Sequence, residues 1–312
     1  LFRSGHISLC RAFVFPLYRH WTLYASMAHA RHVAVALRIW TEKGDTQLKT
    51  VLAKIGIPLK EAQRPYSLMG DRLHRIFETN LDAFGPSVGI TDSSIDSFLK
   101  QHSSSFTASA LDTMLAISAL LSAPTKAEVA AQATDAANSA RAGGSTGAVV
   151  PSGAAVLEHG MQTSKARFWT ASDALTQVGG VLLKQGINLC IDQCKAVMRQ
   201  AVAMLSKKEI DTRNIVHFGK IVASPDLSYF MHPDHLIRLG FFLLDLISLK
   251  KVSRPLVLGV LLPAQDAYLV VGINANRAGS PRLAATIFAD VFKRAAEMIG
   301  AAVRRDSFDG SV

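Results

Sequence analysis

The sequence predicts an α/β fold with a large helical portion, in which a helical region precedes an α/β domain with a small mixed sheet. Residues 1–125 carry apolar side chains mainly at helical spacing, 126–165 are rich in Ala, Gly and Ser, and 166–312 alternate helical patterns with strand-like apolar runs. We therefore expect a mostly helical region, a flexible insertion and an α/β domain, in that order.

Length and composition predict a globular protein. The 312 residues are 49% hydrophobic, enough to bury a substantial core. Three cysteines are too few for a disulfide framework, which favours a reducing compartment such as cytosol or nucleus. The longest apolar run, 239–249, contains Asp245 and is far shorter than the roughly 20 residues that cross a bilayer, so no membrane span is expected.

The first 40 residues contain five Arg and no acidic residue, a composition also found in organellar transit peptides. The aromatic residues Phe13, Phe15 and Trp21 favour the edge of a folded domain instead. Because the chain begins at Leu1, we expect it to be a fragment of a longer protein.

The net charge of +10 favours an acidic partner such as nucleic acid, but this charge is spread along the whole chain. Small basic clusters such as Lys207-Lys208 and Arg304-Arg305 could contact phosphates. Solvated surface is the commoner role of such pairs.

Two helices are predicted between residues 48 and 84. The first has apolar residues at i, i+3, i+4 and i+7, namely Leu48, Val51, Leu52 and Ile55. Gly56 and Pro58 end it, because Gly tolerates the left-handed conformation and Pro has no N–H to donate. The second ends at Gly85 and has an apolar face made of Met69, Leu73, Ile76, Phe77, Leu81 and Phe84.

The remainder of the first region contains an extended piece at 14–17 and a helix that ends before Pro124. Thr125 and Glu128 match a capping box for a short Ala-rich helix. We expect 141–163 to be a mobile linker, because small side chains bury too little surface to offset the entropy of ordering.

Beyond the linker, Thr170 and Asp173 indicate the start of a long helix that runs to about Leu205 and kinks near Gly180. The pattern then predicts extended segments at 214–223 and 227–231, a helix at 234–249, strands at 256–262 and 267–273, and a helix at 282–300.

The two last strands should form an antiparallel hairpin buried on both faces, because both are nearly continuous apolar runs. A wide apolar stripe on the last helix should cover this sheet. It consists of Ile287, Phe288, Val291, Phe292, Ala295, Met298 and Ile299.

Two groups of residues have the chemistry of metal ligands. Cys190 and Cys194 lie one helical turn apart and could share a metal with a residue such as His217, although core packing is commoner for free cysteine. The sequence His232-Pro233-Asp234-His235 also offers imidazole and carboxylate groups. It opens a predicted helix where Asp234 is suited to capping, so we interpret it as a structural turn.

We predict no catalytic, cofactor-binding or metal-binding residue. The sequence contains no P-loop, no GxSxG and no GxGxxG after a strand. The carboxylates Glu158, Asp173 and Asp192 are isolated or on helical surfaces. The tryptophans Trp21, Trp40 and Trp169 could stack on the bases of single-stranded DNA, but core packing explains each at least as well.

Several segments, in their order and spacing, carry a family resemblance. They are Leu17–Trp21 (LYRHW), Gly56–Lys60 (GIPLK), Phe106–Ser109 (FTAS) opening a helix, Phe168–Leu175, Phe230 with Pro233, and Phe308–Val312 (FDGSV). Together they resemble the cell division control protein 45 family over most of the chain outside 126–165. The resemblance is to the later half of such a protein.

This resemblance implies a RecJ-like scaffold of the DHH superfamily, in which residues 1–125 join a DHH half to a DHH-associated-like domain at 166–312. In eukaryotes such a protein joins the Mcm ATPase ring and the GINS complex in the CMG replicative helicase. We therefore expect a nuclear protein without enzymatic activity or cofactor that bridges Mcm and GINS in replication initiation and elongation. Single-stranded DNA is a further candidate partner.

The alternative is an active phosphoesterase or nuclease of the DHH superfamily whose metal ligands precede Leu1. The glycine-rich GGGH motif usual in DHH-associated domains is missing here, since the corresponding tail reads Arg304 to Asp309 as RRDSFD. This difference puts substrate recognition by the domain in doubt.

Overall fold

A computed structural model describes most of the chain. The described residues are 7–90, 94–124, 153–176, 180–248, 254–262, 267–274 and 288–302, and the side chains of 88, 153–163 and 289 are outside the description. Contacts divide the chain into two compact units, Leu1–Ala123 with Gly153–Lys195 and Pro124–Ser152 with Ala196–Val312. The predicted α/β class with a large helical portion is confirmed.

A three-stranded antiparallel sheet in the first unit was not predicted. Its strands are β1 (Ile7–Phe13), β2 (Ser94–Ser103) and β3 (Phe106–Ser109), in the order β1-β2-β3. The extended piece expected at 14–17 is wrong, because the strand ends at Phe13. Strand β2 (SIDSFLKQHS) was missed because polar residues occupy most of its positions and no apolar alternation remains.

The helices of this unit begin with α1 (Leu23–His29), α2 (Arg31–Leu37), α3 (Glu42–Ile55), α4 (Leu59–Ala62) and α5 (Asp71–Phe84). Short 3-10 helices cover Tyr18–His20, Tyr66–Leu68 and Gly85–Val88.

The predicted helix pair corresponds to α3 and α5. The four predicted residues of α3 are buried, and Gly56 ends that helix in the left-handed conformation at φ 92°. In α5, Phe77 and Leu81 are buried as predicted, whereas Met69 precedes the helix and Phe84 is exposed at its end. The side chain of Asn80 joins the two helices, because its Nδ2 donates to the carbonyl of Ile55 over 2.7 Å.

Three further helices follow in the chain: α6 (Ala110–Ser122), α7 (Gly153–Thr176) and α8 (Val181–Ser206). The predicted mobile linker is wrong for 153–163, which is helical, and the predicted start at Thr170 is wrong because Thr170 lies inside α7. Its hydroxyl donates to the carbonyl of Ala166 over 3.0 Å. The Ala-rich helix expected after Thr125 and the rest of the linker lie outside the described residues.

Glycines determine how α8 begins and how it crosses α6. Gly180 precedes α8 with φ 68°, and a Cβ there would lie 2.6 Å from the ring of Phe106. The kink predicted near Gly180 is thus a break between two helices. At Gly186 an added Cβ would lie 2.6 Å from the carbonyl oxygen of Ala116, so the close crossing of α6 and α8 depends on glycine.

The second unit contains a mixed four-stranded sheet. Strands β4 (Ile210–Thr212), β5 (His217–Ile221), β6 (Leu256–Leu262) and β7 (Ala267–Ile273) lie in that order. Strands β5 and β6 are parallel and the other neighbours are antiparallel, which confirms the predicted hairpin. The helices are α9 (Leu227–Phe230), α10 (Pro233–Ser248) and α11 (Phe288–Ile299).

Helix α10 packs closely against one face of this sheet, because Gly240 leaves no room for a Cβ between it and the side chain of Ile273. The extended segment predicted at 227–231 is wrong, since α9 occupies it, and the short strand β4 was missed. Burial on both faces of the hairpin is also wrong, because Tyr268 on β7 is exposed.

The predicted stripe of α11 is only partly buried. Phe288 packs against Gly272 of β7. Ala296, which the predicted stripe did not include, is buried, whereas Ala295 is exposed. Val291, Met298 and Ile299 are exposed, Met298 to 87%. Among the described residues, none of the helices combines the length and the hydropathy needed to cross a membrane.

Candidate functional site

The turn before α10 carries the residues with the strongest metal-ligand character. His232 immediately precedes the helix, and its carbonyl accepts the N–H of His235 and of Leu236. Its Nδ1 accepts the N–H of Asp234 over 3.4 Å. The capping side chain is therefore His232, which corrects the assignment of that role to Asp234.

These three side chains do not form an open site, although the rings of His232 and His235 have centroids 5.9 Å apart. The Nδ1 of His232 is 3.9 Å from the carboxylate of Asp234 at the surface, but the ring of His235 is completely buried. The His235 ring contacts Tyr229 edge-on, with centroids 6.0 Å apart. Within the described part of the chain no group of three or more His, Cys, Asp or Glu side chains is placed to hold a metal ion.

The cysteines pack as apolar side chains. Cys190 is buried beside Leu183 and Ile187, and Cys194 packs at the edge of the same cluster. None of Cys10, Cys190 and Cys194 forms a disulfide. His217 belongs to β5 of the other unit, where its Nδ1 hydrogen-bonds the Oγ1 of Thr212 at 3.0 Å. Cys190, Cys194 and His217 are not among the described residues that could hold a metal ion as a group.

Two of the predicted isolated carboxylates lie on the surface. Asp173 is exposed on α7, and Asp192 on α8 forms an ion pair with Lys195 at 3.1 Å. The side chain of Glu158 lies outside the described residues.

Asp112, at the start of α6, is the buried carboxylate that the sequence reading missed. Its Oδ2 accepts the N–H of Ser109 at 3.1 Å and the hydroxyl of Ser109 at 2.8 Å, while its own N–H donates to that hydroxyl at 3.0 Å. This reciprocal pattern is a capping box, and Ser109 with Asp112 three residues later is a sequence signal that could have revealed it.

His20 completes this cluster. Its Nε2 lies 3.6 Å from the Asp112 carboxylate, and its ring contacts Phe106 with centroids 5.5 Å apart. Burial alone would raise the pKa of Asp112, but the interactions with His20 and the two donors of Ser109 outweigh it and hold that pKa below its usual value. Because Asp112 is buried and its Oδ2 is held by Ser109 and lies near His20, this carboxylate stabilises the start of α6.

The three tryptophans differ in environment. Trp21 is half-buried against the ring of His29, with Lys195 Nζ 5.7 Å from the Trp21 centroid. Trp40 is also half-buried. Trp169 is 55% exposed and contacts Phe168, itself 57% exposed. The core-packing expectation is therefore wrong for Trp169.

Some of the basic residues form ion pairs at the surface, and others lie outside the described residues. Lys207 lies 3.7 Å from Glu209, and Arg213 lies 2.6 Å from Asp211. The pair Arg304-Arg305 lies outside the described residues. Ion pairs of this exposed kind neutralise part of the charge that would otherwise attract phosphate groups.

Exposed apolar side chains also occur on the three-stranded sheet. Leu9 on β1 faces Phe98 on β2 in the strand register, and Leu9 is 77% exposed. This cross-strand pair and the aromatic pair on α7 are features of surfaces that contact other molecules.

Comparison with known proteins identifies the family. The family model for CDC45 matches residues 2–312. The chain belongs to the CDC45 family. This CDC45-family chain is 31% identical to the cell division control protein 45 homolog of Dictyostelium discoideum over 96% of the chain and 42% of that protein.

Further relatives give the same result. Cell division control protein 45 of Saccharomyces cerevisiae is 29% identical over 95% of this chain and 46% of its own length. The homolog of Schizosaccharomyces pombe is 28% identical over 96% and 48%. The chain therefore spans a little under half the length of the curated relatives that it matches.

The fold agrees with a solved member of the family. The crystal structure of CDC45 from Entamoeba histolytica matches with a TM-score of 0.68 at 22% identity. The match covers 97% of this chain and 53% of that one. The arrangement of helices and sheets in this CDC45-family chain is thus shared with that protein.

Proposed function

We propose that this CDC45-family chain is part of a non-catalytic scaffold subunit of the eukaryotic replicative helicase. It acts in the nucleus, where it bridges the Mcm ring and the GINS complex during initiation and elongation of DNA replication. The observation that carries this proposal is the family match across residues 2–312. The names of the relatives, cell division control protein 45, support a role in chromosome replication.

The side-chain chemistry of the described residues supports binding over catalysis. The acids and histidines with catalytic chemistry have structural roles: His232 caps a helix, Asp192 pairs with Lys195 at the surface, and His235 is buried in the core. Apolar side chains such as Leu9 and Trp169 are exposed, and such residues are used in docking to other proteins. ATP hydrolysis then belongs to the Mcm partners.

The test is recovery of partners by the tagged full-length protein from cells in S phase, measured by quantitative mass spectrometry. We expect Mcm and GINS subunits to be enriched together over an untagged control. A His232→Asn variant should recover them equally, because His232 caps a helix and holds no metal in this proposal. Recovery of neither complex would contradict the scaffold role.

A second assay addresses the phosphoesterase alternative. The full-length protein is incubated with end-labelled single-stranded DNA and manganese, and we expect the DNA to stay intact. Manganese-dependent cleavage by the purified protein would contradict the non-enzymatic role, whatever partners it recovers. Binding of the same oligonucleotide without cleavage would add single-stranded DNA to the partners of the scaffold.

A further inference from the structure

Helix α7 buries small apolar side chains and exposes large ones, which is the opposite of the usual arrangement in a surface helix. The small residues Ala171 and Ala174 are buried, in a cluster with Leu120 of α6. The large residues Phe168 and Trp169 are more than half exposed on the same helix. A helix that only covers a core places its large apolar residues inward. The outer face of α7 therefore has the composition of a contact surface.

The outward stripe of α7 has a charge at each end and an aromatic residue at its centre. Lys165, Trp169 and Asp173 are spaced at i, i+4 and i+8, so they lie on one face, with about 6 Å along the helix axis between neighbours. All three are exposed. The ring of Phe168 flanks the stripe and meets Trp169 at an interplanar angle of 77°.

The charges of this stripe are complementary to those of a second copy of the helix that runs in the opposite direction. An antiparallel copy of the helix, related by a two-fold axis at Trp169, places its own Asp173 opposite Lys165 and its own Lys165 opposite Asp173. The two Trp169 rings then meet at the axis. Among the described side chains neither Lys165 nor Asp173 has an ion-pair partner.

We propose that the outer face of α7 binds a second copy of this chain. The two α7 helices pack antiparallel, with Trp169 on Trp169 at the centre and two Lys165–Asp173 ion pairs at the ends. Such a contact is isologous, since the same patch serves both partners and the assembly closes at two copies. This inference does not depend on the proposed function.

The contact is small, so its affinity should be modest. One helix face buries less than the roughly 1,200 Å² at the lower end of stable protein interfaces. We therefore expect a reversible, concentration-dependent dimer. The aromatic centre supplies most of the affinity, and the ion pairs determine the antiparallel direction.

Charge exchange provides the decisive experiment. Sedimentation velocity of the 312-residue chain over a concentration series should show a monomer–dimer equilibrium. Lys165→Glu alone places two acidic side chains opposite each other at each end of the contact, and Asp173→Lys alone places two lysines opposite each other. Each single change should therefore weaken association by about tenfold. The double variant Lys165→Glu/Asp173→Lys restores opposite charges and should return the affinity to within about threefold of the original.

Two further variants test whether dimer formation depends on this surface in particular. Trp169→Ser should abolish the dimer, whereas Trp40→Phe, at a half-buried site on another part of the chain, should leave it unchanged. Thermal melting of each variant should match the parent protein, because the substituted residues of α7 are exposed.

Several results would overturn the proposal. A chain that remains monomeric at every concentration excludes a second copy as the occupant of this face. If the dimer survives Trp169→Ser, the contact lies elsewhere. The same conclusion follows if the double charge exchange does not restore the dimer affinity that each single change loses. A monomeric chain that binds a labelled oligonucleotide through Trp169 would assign the face to nucleic acid instead.

Discussion

At the scale of single residues, the ionisable groups that stand out chemically in this chain serve to stabilise the fold. Asp112 shows this most clearly, because it is buried and yet charged. Two donors of Ser109 and the nearby imidazole of His20 compensate for its lost hydration. These contacts stabilise the start of α6.

Substituting Asp112 with Asn should lower the free energy of unfolding by about 1–3 kcal/mol, because buried donors of Ser109 lose a charged acceptor. Urea denaturation at neutral pH measures the change. Asp192→Asn, at an exposed ion pair, is the control and should change stability by less than about 1 kcal/mol.

The same variant should change the response to acid. The pKa of Asp112 is lower in the folded chain than in the unfolded chain, so its contribution is present above the unfolded pKa and is lost as the pH falls through the folded pKa. Asp112→Asn removes this contribution and should flatten the acid limb of the stability curve. An unchanged acid limb would contradict the assigned charge state.

His217 should make a second contribution to pH-dependent stability. Burial, followed by the charge of Arg254, lowers the pKa of His217 below its ordinary value of 6.5, so the folded chain binds a proton less readily than the unfolded chain. Stability should therefore fall as the pH drops below 6.5. In His217→Asn the difference in unfolding free energy between about pH 7.5 and about pH 5 should be smaller.

Thr212→Val is the matched control for this effect. It removes the hydrogen bond to Nδ1 of His217 but leaves the imidazole in place, so the pH dependence should persist while overall stability falls. If His217→Asn and the parent chain lose equal stability on acidification, the imidazole is not the group responsible.

At the scale of elements, the spacing of apolar residues predicted helices and strands correctly where one face of the segment is buried. Strands β6 and β7 have the bounds predicted from their apolar runs, and α10 differs from prediction by one residue at each end. Strand β2 carries a polar sequence and exists because β1 and β3 pair with it on both sides. Long-range pairing of this kind leaves no signal in the strand itself.

The crossing of α6 and α8 provides a prediction at this scale. Gly186→Ala should destabilise the chain by about 1–3 kcal/mol, although alanine favours a helix over glycine, because the new Cβ would meet the backbone oxygen of Ala116. Chemical denaturation measures the loss.

Gly259→Ala provides the comparison, because nothing lies within 4 Å of a Cβ at that position of β6. It should be neutral or slightly stabilising, since alanine lowers the entropy of the unfolded chain. A Gly186→Ala variant as stable as the parent chain would show that the helices separate without cost.

At the scale of the whole molecule, the two units share the helix α8, which belongs to the first up to Lys195 and to the second from Ala196. Family membership rests on a match that extends through both units. The chain spans about half the length of its relatives, so partners of the complete protein can contact regions outside it.

Metal independence is the prediction for the molecule as a whole. Chelation with EDTA should leave the melting temperature unchanged, because the described residues hold no cluster of three or more metal-ligating side chains. Differential scanning fluorimetry with and without manganese or zinc measures this. A metal-induced rise that disappears in His232→Asn would show that the turn before α10 binds an ion.

The sequence alone determined the fold class, the family resemblance, and the elements with a periodic apolar face, because burial of one face leaves its period in the order of residues. Only the tertiary structure decided that β2 is a strand, that His232 caps α10, and that Trp169 faces outward while Ala171 faces inward. The pairing of β2 and the orientation of α7 depend on contacts between residues distant in sequence, whereas the His232 cap is a local contact with Asp234. The local pattern of any one segment is compatible with more than one such partner, and packing selects among them.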